Sequence, residues 1–225
     1  MRVEYAIIFP NHILFSRGII MLNVTWHGHA CFELNSDAGR IVFDPYEENY
    51  LPGLKMPHLT ADAVISSHRH GDHYAPDMVA LTGNEPDATV TQIPCFHDEV
   101  QGKKRGNNLI SVVEIEGRRI CHMGDIGHML SDAQLELMDS IDVLMIPVGG
   151  LYTVDAETAK AICEMVKPRV IVPMHFKAEG KGLQNVAPVS DFISLFPEDD
   201  VCFLERNTVS IEELLNCKIA VFPWP

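Results

Sequence analysis

With 225 residues, of which 47% are apolar and 21% charged, the chain has the make-up of one ordinary globular domain, able to bury about 70% of its unfolded surface. Acidic residues number 31 against 17 basic ones, a formal net charge of −14; this argues against nucleic acid as a partner, because neutralising phosphates needs clustered Lys and Arg. No apolar run reaches the ~20 residues of a membrane span, and six cysteines without a CxxC pair read as reduced thiols in an intracellular, cytoplasmic protein.

The opening MRVEYAIIFPNHILFSRGII has only a faint likeness to a signal peptide. Pro10, Asn11 and His12 interrupt its apolar stretch, and no small-residue cleavage site follows. Residues 1–20 are therefore expected to be a peripheral N-terminal extension, read from an upstream start codon, with a single domain over 21–225. From Met21 the chain reads as short strands: LNVTWHG, CFEL, then RIVFDPY, stopped at Asp44-Pro45. DAVISSHRH has the shape of a strand that delivers a loop. PDMVALTG, with Pro first and Gly last, reads as a short helix. ATVTQIPCF alternates like a strand, and NLISVVEIEGRRICHMGD reads as a hairpin turning at Glu116-Gly117.

The second half changes rhythm. SDAQLELM is a helix capped by Ser131, with Gln134 three residues on. IDVLMIPVGG is an apolar strand, and DAETAKAICEMVKP has the 3.6-residue period of a helix stopped by Pro168. RVIVPMHF is another apolar strand; a helix near VSDFISLF and a strand near VCFLE follow. Strands dominate the first half and alternate with helices in the second, which fits two packed sheets with helices outside them.

Within this frame SSHRHGDHY, residues 66–74, crowds His68, His70, Asp72 and His73 into six positions. Neutral imidazole and carboxylate are the side chains that bind divalent metals. Residues at i and i+2 of an extended segment project to one side, so His68 and His70 can chelate one ion. Gly71 then permits a bend that turns Asp72 and His73 toward a second. Further donors fall at other strand ends: His97, with Asp98 beside it as the alternative, Asp125 and His175. Strand ends along one edge of a sheet system are neighbours in space.

At this point the chain resembles the metallo-β-lactamase-fold hydrolase superfamily. The likeness runs from about Met21 to the C-terminus on WHGHACF, FDPY, SSHRHGDHY, CHMGDIGH and IVPMHF. HDEVQGKKRGNN and IPVGGLYTVDAETA look most like its small branch typified by ascorbate-6-phosphate lactonase. The resemblance implies an α+β fold, a four-layer αββα sandwich. It implies a first metal held by His68, His70 and His97, and a second by Asp72, His73 and His175, with Asp125 bridging them. It also implies a hydroxide between the ions as nucleophile, with Asp72 as the catalytic residue that orients it and shuttles its proton.

Other residues have weaker claims. His29 in WHGHACF and His128, three residues after Asp125, are candidates to support the ligands or touch substrate; Arg105 in KKRGNN is one to pair an anionic substrate. Gly149-Gly150 and Tyr152 are candidates to line a cleft, and His122 reads as a strand residue. The expected function is hydrolysis of a small intracellular ester, lactone, amide or phosphodiester, with two divalent ions as cofactors. The donor chemistry suits zinc, with manganese and iron as alternatives. Competing readings are an RNA-processing-type nuclease, a di-iron redox protein, and a non-catalytic metal-binding protein. The expected partner is a small-molecule substrate, without nucleic acid or membrane; the choice between monomer and homo-oligomer is open.

Overall fold

Side-chain alternation decides how the first sheet is covered. The computed structural model describes residues 22–225, so the expected N-terminal extension lies outside the described residues. Strands β1 (Asn23–Trp26), β2 (Phe32–Ser36) and β3 (Gly39–Phe43) run antiparallel. In β3, Ile41 and Phe43 enter the main core, whereas Val42 joins a separate cluster with Cys31, Tyr46, Leu51 and Met56. Period-two alternation places these sets on opposite faces. The outer face is thus packed by the loop around 44–58 together with Ala61 and Val79, with no helix among these residues.

Strand β4 (Leu59–Ala61) leads to β5 (Ala63–Ile65), which pairs parallel to β3, and β6 (Val79–Leu81) pairs with β4 in a small two-stranded sheet. The helix expected over PDMVALTG is a correction. Only Pro76–Met78 winds, as one 3-10 turn, before the chain extends into β6. Val79 is buried in the outer cluster, and pairing with β4 satisfies backbone groups that an isolated two-turn helix would leave open.

The second sheet begins as an antiparallel ribbon of β7 (Ala88–Phe96), β8 (Asn107–Ile115) and β9 (Arg118–His122). The turn between the last two has Glu116 and Gly117 at φ of 51° and 68°, the backbone of a tight two-residue hairpin. There follow α1 (Asp132–Leu137), β10 (Val143–Pro147), α2 (Ala156–Val166), β11 (Val170–Met174), α3 (Val189–Ile193), β12 (Val201–Phe203), β13 (Thr208–Ser210), α4 (Ile211–Leu214) and β14 (Ile219–Val221). Ser131 and Gln134 close a reciprocal capping box on α1, as expected. Helix α2 ends at Lys167 in the left-handed conformation, just before Pro168.

One sheet has the order β13-β1-β2-β3-β5 and the other β12-β14-β11-β10-β9-β8-β7. Strands β9, β10, β11 and β14 are mutually parallel, and every residue of β10 and β11 is buried, as parallel strands covered on both faces require. The architecture is the α+β sandwich expected. All six cysteines are free, and among the described residues no helix is long and apolar enough to cross a membrane. Because β7 runs antiparallel to β8, and β8 to β9, the C-terminal ends of β7, β9 and β11 share one edge.

Candidate metal centre

Asp44 organises the histidine loop. It ends β3 in the left-handed region, at φ 43°, and is fully buried. The Ser67 N–H donates to Asp44 Oδ1 at 2.7 Å, and the Ser67 hydroxyl donates to Oδ2 at 2.6 Å. His73 Nδ1 donates to the same Oδ2 at 2.7 Å. The Ser67 oxygen also lies 2.9 Å from His68 Nδ1; with its own proton committed to Asp44, it accepts there. Burial pushes the Asp44 carboxyl up, but His122 and His73 outweigh it and hold the group below the usual carboxylate range. One carboxylate thereby sets two imidazoles with Nδ1 protonated and Nε2 free, the tautomer that ligates through Nε2. His97 has the same arrangement, its Nδ1 donating to the Tyr152 carbonyl at 3.1 Å.

The donors gather into two groups, and a third group, of His68, His73 and Asp125, joins them. The ligand nitrogens of His68, His70 and His97 lie within 4.8 Å of one another, as do single donor atoms of His29, Asp72, His73 and His175. Asp125 stands between the groups: its Oδ2 is 3.2 Å from each Nε2 of His73, His97 and His175. His29 Nε2 is 3.3 Å from Asp72 Oδ2. Among the described residues no hydrogen-bond partner exists for either ring nitrogen of His29 or His175, for Nε2 of His68 and His73, or for Asp125 Oδ1. A buried polar atom left wholly unpaired costs about 1–3 kcal/mol. Nitrogen lone pairs converging on an anionic oxygen repel unless positive charge sits among them. The donor set therefore fits divalent cations.

Protonation agrees with that fit. Burial lowers His29 to about 4, helped by His175, and lowers His68 to about 3, helped by His73. His70 is lowered too, by burial and then by His97. Burial opposes the ionised forms of Asp72 and Asp125, yet the surrounding histidines, His73 foremost for Asp72 and His175 for Asp125, hold both below the ordinary carboxylate range. His73 is the exception: burial disfavours its charge, but Asp125, Asp44 and Asp72 more than compensate and raise it well above the usual value. Three carboxylates that draw a proton onto His73 would favour a metal cation in the same place.

Backbone contacts settle which way the neighbouring side chains face. Asp98 turns away from the cluster into its own loop, accepting from the N–H groups of Val100, Gly102, Lys104 and Arg105 at 2.8–2.9 Å. Against its desolvation, those four bonds lower it to about 2. Of the pair at 97 and 98, it is His97 that joins the donors. Gly149 lets the His175 carbonyl approach so closely that an added Cβ would sit 2.1 Å from it. Rather than lining the cleft, Gly149 seats a donor. Asn108, to which the sequence reading gave no role, accepts from Asp125 N–H at 2.9 Å and donates to the Met123 carbonyl at 2.8 Å.

The remaining histidines divide. His29, completely buried, lies within the donor cluster, its ring centroid 4.0 Å from that of His175. His128 has both ring nitrogens taken by the backbone of Phe96 and Met129; it braces the strand end before His97. His122 donates from Nε2 to the Ala30 carbonyl at 2.8 Å and accepts from Gly124 N–H at 3.1 Å, a structural role that ties the two sheets.

A cavity of about 330 Å³ opens over the cluster. It is lined by His70, Asp72, His97 and Asp125 of the cluster together with Tyr50, Arg105, Tyr152 and Leu183. Arg105 Nη2 donates to the Leu151 carbonyl at 2.8 Å, and its guanidinium lies 5.7 Å over the Tyr152 ring.

Comparison with known proteins follows the same outline. Residues 23–175 match the family model described as a beta-lactamase superfamily domain. A metal-dependent hydrolase from Thermococcus onnurineus is 31% identical over 192 residues, covering 69% of this chain and 85% of that protein. Another, from Thermoplasma acidophilum, is 28% identical over 188 residues, with 69% and 83% covered. A solved structure from Thermotoga maritima, a candidate Zn-dependent hydrolase of the metallo-beta-lactamase superfamily, is 33% identical with a TM-score of 0.72 over 91% of this chain and all of that one.

Proposed function

The chain belongs to the β-lactamase superfamily, and from that premise we propose that it is a metal-dependent hydrolase working with two divalent cations side by side. The observation that carries this reading is the pair of donor groups meeting at Asp125 with buried nitrogens that nothing else satisfies. In this reading His68, His70 and His97 hold one cation, Asp72, His73 and His175 the other, and Asp125 reaches both. Imidazole-rich donors suit zinc, with manganese and iron as alternatives. When bound, the cations would supply Lewis acidity at the scissile bond and a lowered pKa for water.

The chain's own residues do the rest. Asp72, ionised and lining the cavity, orients the attacking water and takes its proton at the carboxylate. Asp44 keeps the lone pairs of His68 and His73 facing inward. A cavity of about 330 Å³ admits a small ester, lactone, amide or phosphodiester. Its size and the net charge of −14 favour such a molecule over RNA, and favour the absence of nucleic-acid and membrane partners. Six free cysteines suit a reducing compartment, the cytoplasm.

The test is elemental analysis joined to turnover. The zinc-loaded protein should carry close to two ions per chain and hydrolyse at least one member of a lactone, ester and phosphodiester panel. Asp125→Ala and His70→Ala should lose both properties. Unchanged stoichiometry in both variants would sink the reading.

A further inference from the structure

We propose that His29 is a direct ligand of the second cation, so that this site closes around its ion with His29, Asp72, His73 and His175 and fills before the first. The inference rests on the two-cation reading above and gives a role to a buried histidine which that reading leaves without one.

The first observation is an imidazole with nothing to bind. His29 is fully buried, and among the described residues neither of its ring nitrogens has a hydrogen-bond partner. Nε2 lies 3.3 Å from Asp72 Oδ2, but the approach falls short of hydrogen-bond geometry. Histidines that only support the structure look different here: His122 and His128 have both ring nitrogens engaged by the backbone. His29 instead shares the condition of His175, whose two nitrogens are also unpaired. Buried polar groups are ordinarily satisfied, and an unsatisfied pair of this kind points to an ion.

The second observation is convergence. One donor atom from each of His29, Asp72, His73 and His175 falls within 4.8 Å of all the others. The His29 ring centroid is 4.0 Å from that of His175 and 5.3 Å from that of His73. Three imidazoles and a carboxylate around one point make up the complement of a closed zinc site, whereas the group of His68, His70 and His97 supplies three donors. Asp125 adds an oxygen to either.

The third observation is how the backbone holds the ring. His29 and His175 both sit in the left-handed region, at φ of 54° and 53°, a conformation that non-glycine residues adopt rarely and mostly where function holds them in it. They are tied together, since the His175 N–H donates to the His29 carbonyl at 3.3 Å. Trp26 Nε1 donates to that same carbonyl at 3.1 Å. Depth then separates the two sites. His29, His73 and His175 are fully buried, whereas His70 and His97 line the cavity. With one donor more and its imidazoles away from solvent, the deep site has the stronger grip.

The experiment titrates zinc into metal-free wild type carrying nitrogen-15 histidine and follows the assigned ring nitrogens by NMR. All six histidines of the cluster should show a metal-shifted nitrogen at saturation, with His29, His73 and His175 moving together and ahead of His68, His70 and His97. In competition against a chelator, His29→Ala should weaken the tighter binding step by more than about a hundredfold, beyond the 10–100-fold typical of losing a group that merely orients a ligand. The visible spectrum of the cobalt-loaded protein should change with it. His29→Asn, tolerant of the left-handed backbone, replaces the alanine variant should that one fail to fold, and the titration of wild type needs no variant. A His29 ring unmoved while the other five respond, a loss of a hundredfold or less, or filling in the reverse order would overturn the proposal. If no imidazole responds to zinc, the cation centre fails and this ligand with it. If all six respond but no substrate turns over, the hydrolase reading alone falls.

Discussion

Asp44→Asn changes almost no volume and should nevertheless strip the site of its grip on metal. A carboxylate offers two acceptor oxygens; an amide offers one, plus two donors. With the amide oxygen kept toward Ser67 N–H, the NH₂ group faces the Ser67 hydroxyl and His73 Nδ1, now 2.6 and 2.7 Å from Oδ2. The hydroxyl can reverse to accept, but its proton then points at His68 Nδ1, 2.9 Å away, and forces that ring to carry its hydrogen on Nε2. His73 can meet the NH₂ only by the same tautomeric flip, which puts a hydrogen on the nitrogen 3.2 Å from Asp125 Oδ2. Both donor groups thus lose a lone pair through one substitution. Loss of such an orienting carboxylate typically costs 10–100-fold in metal affinity, or about 1.4–2.7 kcal/mol, and the mispaired buried group adds about 1–3 kcal/mol of destabilisation. Competition against a chromophoric chelator measures the first quantity and urea unfolding of the metal-free protein the second. Should Asp44→Asn hold metal as tightly as wild type while only its unfolding midpoint moves, the orienting role is wrong and Asp44 is merely a loop anchor.

Two further outcomes are expected. Gly149→Ala should drive the His175 carbonyl away, because its Cβ would sit 2.1 Å from that oxygen; stability should fall by about 1–3 kcal/mol, typical of overpacking, and bound metal should drop from about two toward one, whereas Gly150→Ala, whose nearest contacts are at 3.6 Å, should leave the metal count alone. Chelation should lower the thermal midpoint and zinc should restore it, since a ligand at a hundred times its Kd adds about 2.7 kcal/mol to the folded state; a midpoint indifferent to chelator would contradict the cation-binding reading of the cluster.

The donor residues were legible because each follows an apolar run: a histidine or aspartate just past VIVPM or AVI stands out against its own strand. Convergence followed from topology, since β7, β9 and β11 must end on one edge. Asp44 follows a strand in the same manner, but the Pro behind it reads as a turn, and only the closed fold shows Ser67 and His73 arriving at it. Asn108 and Gly149 carry no local signal. The first looks like the polar position of an alternating strand, and the second like any glycine after one. The 97–98 ambiguity had the same root, for which side chain turns inward depends on four amide hydrogens up to seven residues ahead. The helix expected at PDMVALTG failed because β4, each of whose residues pairs with one 20 positions on, competes for Val79–Leu81, a pairing that window-based reading does not see.

The loop closed by Asp98 takes its shape from one carboxylate and four main-chain amides, and the Lys104–Glu99 ion pair upon it is exposed. Glu99, Val100, Lys103 and Lys104 are therefore exchangeable without disturbing His97 beneath them, so long as positions 101 and 102, at φ of 59° and 76°, keep residues tolerant of that backbone. A mutational library across this stretch should alter the surface beside the cavity while the donor cluster stays as it is.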